Sequence, residues 1–166
     1  MQNSDGKLED RAIDYVFKLM DISWWYYAVA IVLGVVVWKT WRWEGGLLVG
    51  YTFLVLVETL LIRRASSGIH FQPVLFWSWG EWAVQKNQIL ANVIMFVPVG
   101  LLAGSLWRWR GLWFAAGLSV IIEVLQLLTA RGLCEFDDVI HNCLGTAVGI
   151  GIVMLIEKIS RVEETE

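Results

Sequence analysis

Charge is scarce in this sequence. Lys and Arg number 13 and Asp and Glu 16 among 166 residues, 17% together, where a soluble domain of this size carries roughly 25%. Much of that charge falls in the two tails, and the rest of the chain is apolar enough to give 57% hydrophobic residues and a mean hydropathy of +0.59. A water-soluble globule is therefore excluded. The net charge of −3 carries no basic surplus, and no nucleic-acid partner is expected. Cysteine is scarce too. Cys134 and Cys143 cannot build a disulfide framework, and neither sits in a zinc-type spacing. No serine, cysteine or histidine triad is evident, which argues against a covalent mechanism. No cleavable signal peptide is expected, because the residues before the first apolar run are acidic. Internal repeats, linkers and low-complexity segments are also missing, so one membrane domain is the economical reading.

What is present instead is tryptophan, 11 in all, and long apolar runs. Several runs approach the ~20 residues that cross a bilayer. The expected fold is all-α, an integral bundle of about five transmembrane helices. Span 1 covers about 24–38, between Trp24, Trp25, Tyr26 and Tyr27 at one end and Trp38, Trp41 and Trp43 at the other, a double aromatic belt. Span 2 covers about 45–62, span 3 about 88–107 with a kink expected at Pro98, span 4 about 112–130, and span 5 about 138–156. Gly145, Gly149 and Gly151 would let a neighbouring helix approach span 5 closely.

The connection 63–87 carries F-Q-P-V-L-F-W-S-W-G-E-W and reads as an interfacial or re-entrant loop. Residues 1–22 form a polar segment with a weak apolar stripe, Leu8, Ala12, Val16, Leu19 and Met20, suited to an interfacial helix. The membrane domain covers 23–157, and a charged tail covers 158–166. Basic residues divide six to seven between the two faces, but acids offset those of the N-terminal segment. A cytoplasmic C-terminus and an outward-facing 63–87 loop are expected.

Alternation of five spans has a sharper consequence. The end of span 2, the start of span 3, the end of span 4 and the start of span 5 must share one face of the membrane. Those ends carry Glu58 and Arg63; Asn92; Glu123, Gln126 and Arg131; and Glu135, Asp137, Asp138 and Asn142. Ser119, Glu123 and Gln126 fall on one stripe of span 4, and Asp138, Asn142, Gly145 and Gly149 on one stripe of span 5. At about 1.5 Å per residue, Asn92 and Asn142 lie one turn inside the membrane and Glu123 two. An acid at that depth costs several kcal/mol, roughly, unless it is neutralised or working. The plainer alternative for Asn92 and Gln126 is an interhelical hydrogen bond worth ~1 kcal/mol. His141 reads as a packing or hydrogen-bonding residue, and Glu58 as a partner for Arg63 or Arg64.

The pattern therefore predicts a polar funnel open to one face. Glu123, with Asp138, is the candidate acid–base group. Arg63, Asn92, Gln126, Arg131 and Asn142 are candidate substrate contacts, the arginines suiting a phosphate or carboxylate. Asp137, Asp138 and Asn142 offer oxygen ligands that could take a divalent cation.

Five motifs in order carry a resemblance: T-L-L-I-R at 59–63, P-V-L-F-W-S-W at 73–79, N-V-I-M-F-V-P-V-G at 92–100, S-V-I-I-E-V-L-Q at 119–126 and R-G-L-C-E-F-D-D-V-I-H-N-C-L-G at 131–145. Over about 47–155 the chain resembles the VanZ-like family, membrane proteins named for a teicoplanin-resistance protein. The family's loop usually has proline followed directly by Phe-Trp, whereas Val74 and Leu75 intervene here, and it often has Asp where this chain has Glu135. The resemblance singles out Arg63, Asn92, Glu123, Gln126, Arg131, Asp138 and Asn142. It implies a cell-envelope role and tolerance to glycopeptide antibiotics, with no settled reaction. Three classes of function stay open at this point. The funnel could modify a lipid-linked or envelope-derived substrate, or bind and shield a lipid, a lipid-linked precursor or the lipoglycopeptide without chemistry. It could also belong to a small transporter subunit.

Overall fold

The computed structural model describes residues 22–62 and 70–163. Each expected span is a helix: α1 is Trp24–Thr40, α2 is Trp43–Leu56, α4 is Trp82–Trp107, α5 is Gly111–Thr129 and α6 is Phe136–Glu163. A π-helical turn over Val57–Ile62 prolongs α2, and a four-residue helix α3, Trp77–Gly80, sits in the connection before α4. The all-α expectation therefore holds. Three stretches are long and apolar enough to cross a membrane, Trp43–Ile62, Trp82–Thr129 and Phe136–Glu163. The middle one holds both α4 and α5. Helix α1, at 17 residues, is shorter, about 26 Å long against a hydrocarbon core of ~30 Å. The amphipathic stripe expected before Met20, and with it Arg63 and Arg64, lies outside the described residues.

Helix α4 begins at Trp82, six residues before the expected start. No proline or glycine follows Gly80 until Pro98, so nothing in the backbone delays the helix once the chain has turned. At its other end the chain reverses through Arg108–Arg110, with Arg108 in a left-handed conformation at φ 54°. Gly111 then packs against Ala103 and α5 runs back along α4. A cluster of Leu48, Val55, Phe96, Val99, Ala103, Ala115, Leu118 and Ile122 fills the space between α2, α4 and α5. Outward positions such as Val84, Ile94, Val120, Leu128 and Val148 stay exposed and apolar, as surfaces that face lipid do.

Helices α4 and α6 run parallel in backbone-to-backbone contact. A Cβ at Gly145 would meet the Val93 carbonyl, one at Gly149 the Val97 carbonyl, and one at Gly100 the carbonyl of Thr146. Lipid tails are as apolar as leucine, so close packing of small residues, rather than escape from water, holds such helices together. Gly151 departs from its expected role: a Cβ there meets nothing within 4 Å. It lies two residues beyond Gly149, about 200° further round the helix, and faces away from α4. Helices α1 and α2 pair in the same manner through Gly34, Gly46 and Gly50.

One feature is absent from the expectation. His70–Gln72 (β1) and Leu133–Glu135 (β2) form a two-stranded parallel ladder, with His70 opposite Leu133, Phe71 opposite Cys134 and Gln72 opposite Glu135. It ties the connection before α4 to the start of α6. Three-residue strands paired across some sixty residues leave no alternation to read.

The two ends of the bundle differ. At one end the α1–α2 and α4–α5 turns meet through Trp41 and Trp107, ring centroids 5.9 Å apart, and Arg108 pairs with Glu157 at 2.5 Å. The other end gathers the π turn, the ladder, α3 and the starts of α4 and α6. Replacing Gly145 by Val forces α4 and α6 apart and should cost about 1–3 kcal/mol, the range for overpacking, read as a lower Tm in detergent. Gly151→Ala should be neutral or stabilising by up to ~1 kcal/mol.

Candidate functional site

The polar end is built from three inward-facing stripes. Gln88 sits on the second turn of α4, Glu123 on α5 and Asp138 on the first turn of α6. The Gln88 amide nitrogen lies 3.4 Å from both Asp138 carboxylate oxygens and 3.5 Å from Glu135 Oε1. The backbone N–H of Glu135 donates to Glu123 Oε2 at 2.9 Å. Three carboxyl groups thus converge around one amide and one strand end, and all are buried: Glu123 is 5% exposed, Glu135 2% and Asp138 3%. The Cys134 thiol donates to Glu123 from the same strand. Burial pushes that thiol above its ordinary range, and the Glu123 and Asp138 carboxyls push it further. A protonated thiol is a poor nucleophile.

One turn deeper, Asn142 Nδ2 donates to Ser119 Oγ at 2.8 Å, and Thr146 Oγ1 donates to the Asn142 carbonyl. Asn92 is buried beside them on the α4 stripe that carries Gln88, one turn further on. Asn142 Oδ1 and Asn92 Nδ2 are buried without a hydrogen-bond partner among the described residues. A buried orphan of this kind costs about 1–3 kcal/mol.

Gln126 and Arg131 hold a different structure. Gln126 Nε2 donates to the Thr59 carbonyl at 3.3 Å, and Arg131 Nη1 to the carbonyls of Leu60 and Leu61 at 3.0 and 2.7 Å. These carbonyls belong to the π turn that prolongs α2. A cation there also meets the negative end of the helix dipole.

Asp137 and His141 point to the connection between β1 and α4. Asp137 Oδ1 accepts the Phe76 N–H at 2.6 Å, and its Oδ2 accepts both the N–H and the hydroxyl of Ser78, at 3.0 and 2.5 Å. It is an N-cap for α3 supplied from a different helix. The Trp79 indole N–H donates to His141 Nε2 at 3.0 Å. An indole nitrogen can only donate, which leaves the ring proton on Nδ1, 3.8 Å from Asp138 Oδ1.

Glu123 and Asp138, the expected acid–base pair, are therefore joined through Glu135 and Gln88, and Asn142 and Asn92 lie just beneath. The three residues considered for a cation are engaged apart from one another: Asp137 with the loop, Asp138 with Gln88, and Asn142 through its amide nitrogen with Ser119. Among the described residues no group of three His, Cys, Asp or Glu side chains is arranged to hold a metal. Gln88 escaped the sequence reading because it fell on the expected span boundary. Its place four residues before Asn92 was the signal that could have found it.

Comparison with known sequences bears on this arrangement. A family model described as VanZ/LLP1 matches residues 24–157, most of the chain. The chain belongs to that family. The match takes in α1, which lies before the first of the five motifs. Among curated proteins the chain is similar to Protein VanZ of Enterococcus faecium, 32% identical over 76 residues, which make up 43% of this chain and 47% of that protein. The matched part thus spans just under half the length of this relative. No solved structure matches the chain. Within this family member, Cys134 should react with a maleimide more slowly than a free thiol at neutral pH. Glu123→Gln removes one of the carboxyls that hold the thiol protonated, and alkylation of Cys134 should speed up severalfold. An unchanged rate would contradict the contact.

Proposed function

We propose that this VanZ/LLP1-family membrane protein lowers susceptibility to glycopeptide antibiotics of the teicoplanin type. In this reading the polar end of its bundle engages a lipid-linked or other envelope substrate. The observation that carries the reading is the set of three buried carboxyls, Glu123, Glu135 and Asp138, around Gln88. Fastening the loop needs only Asp137. Acids beyond that requirement, at the end of membrane helices, are expensive unless they work. Glu123 and Asp138 exchange or hold a proton at the substrate, Asn92 and Asn142 contact it, and Arg63 supplies the cationic side for a phosphate or carboxylate, while Gln126 and Arg131 frame the site by holding the π turn. The polar end faces outward and the C-terminus lies in the cytoplasm, with Lys39, Arg42, Arg108, Arg110, Lys158 and Arg161 on the inner face.

A second reading, capture of the ligand without chemistry, is favoured by one detail. Glu123 already accepts the Glu135 N–H and the Cys134 thiol, which suits a rigid binding wall. A transporter reading gains no support, because the core between the two ends at Phe96, Val99 and Ala103 is apolar.

Glu123→Gln and Asp138→Asn, assayed for teicoplanin susceptibility beside analysis of the envelope lipids, test the proposal. At equal protein levels each variant should lose most of the protection, and a changed lipid or precursor profile would mark an enzyme. Loss of protection while a labelled precursor still binds favours the enzyme reading, whereas loss of protection together with loss of precursor binding, with an unchanged profile, marks the binding reading. Wild-type protection in both variants would sink the site.

A further inference from the structure

The segment Phe71–Gly80 contains no charged residue, and its apolar side chains other than Trp77 are largely exposed. Phe71, Val74, Leu75 and Phe76 are 49–58% exposed, and Trp79 and Trp82 are 46% and 47% exposed. Phe136, at the first position of α6, is 48% exposed and meets Phe71 edge-on, with centroids 5.5 Å apart. Further along α4, Val84, Leu90 and Ile94 are exposed and apolar as well. A soluble protein would bury such a patch or dock a partner on it.

The backbone beneath the patch is fastened with unusual care. Asp137, fully buried, takes three hydrogen bonds from Phe76 and Ser78, and His141, also fully buried, takes the Trp79 indole. Phe76 adopts φ 61°, a left-handed conformation costly for a bulky residue and stable only where the surroundings dictate it. Two buried polar residues of α6 that the proposed site does not use are thus committed to holding Val74, Leu75 and Phe76 turned away from the protein.

We infer that residues 71–79 form a rigid apolar platform inserted into the acyl-chain region of one leaflet. The occupant of the patch is lipid: the platform adjoins the lipid-facing side of α4 at the end of a membrane-crossing stretch, with aromatic residues at the level where tryptophan belts sit. Fastening the backbone groups of Phe76 and Ser78 to Asp137 is what permits irregular chain at that depth, where an unsatisfied amide costs several kcal/mol. Because Asp137 adjoins Asp138, the platform borders the carboxyl cluster within one residue of α6. An amphiphile whose polar head meets Glu123 and Asp138 therefore enters sideways from the leaflet, with its tail on Leu75 and Phe76. Sideways entry rests on the proposed function, and insertion of the platform stands without it.

The test uses full-length protein in vesicles of phosphatidylcholine and phosphatidylglycerol, with Cys134 and Cys143 replaced by alanine. A single cysteine is introduced by Leu75→Cys and labelled with an environment-sensitive fluorophore. Ile94→Cys, on the outer side of α4, and Ser160→Cys, near the C-terminus, provide lipid and water references. The label at 75 should emit like that at 94, be quenched by doxyl-labelled phosphatidylcholine and be severalfold less sensitive to aqueous iodide than that at 160. Emission and iodide quenching matching position 160 would overturn the inference. Asp137→Asn in the Leu75→Cys background, with helical circular dichroism unchanged, should raise iodide quenching severalfold. No change there would overturn the clamp. Neither readout involves antibiotic susceptibility, so failure of the platform and failure of the proposed function are separable.

Discussion

A carboxyl group placed among membrane helices must be given hydrogen-bond donors, because neither water nor lipid at that depth supplies them. Most of the polar end can be understood as the consequence of four such acids. Asp137 is supplied by Phe76 and Ser78, Asp138 by Gln88, and Glu123 by the backbone of Glu135. The donors to Asp137 lie on the irregular connection before α4, that to Glu123 on the short strand β2, and that to Asp138 on α4 itself. Satisfying Asp137 therefore fixes the connection before α4 against the entry of α6. The ladder does the same for the backbone, pairing Phe71 with Cys134 and Gln72 with Glu135 beside the cluster. Remove Asp137 and the loop loses this anchor; remove the loop and Asp137 loses its donors.

Below this end, geometry is set by absence of side chains. Gly145, Gly149 and Gly100 bring α4 and α6 to backbone contact, and that closeness lets Gln88 reach Asp138. The same pairing recurs between α1 and α2 through Gly34, Gly46 and Gly50. In a medium without a hydrophobic drive between helices, such contacts define register as well as distance. The depth of Asn92 relative to Asn142 follows from them.

Much of this was legible in the sequence. Hydropathy and tryptophan belts located every long helix, and alternation alone collected Asn92, Glu123, Asp138 and Asn142 at one end. What escaped it was direction within that end. Arg131 and Gln126 share a face with the acids, yet they turn to the carbonyls of Thr59, Leu60 and Leu61 on a π turn. Nothing in V-E-T-L-L-I announces a π turn. Asp137 and Asp138 look equivalent as neighbours, but adjacent positions on a helix point about 100° apart. One clamps a loop and the other joins the cluster. Gly151 failed by the same arithmetic.

The central claim is that Glu123 and Asp138 are kept for work rather than for folding. Thermal stability and protection against teicoplanin, measured on the same Glu123→Gln variant, test it most directly. Glutamine keeps an oxygen for the Glu135 N–H and removes a buried acid, so Tm should hold or rise while protection is lost. A Tm that falls in step with protection, as expected for Gly145→Val, would make Glu123 a structural residue and contradict the account.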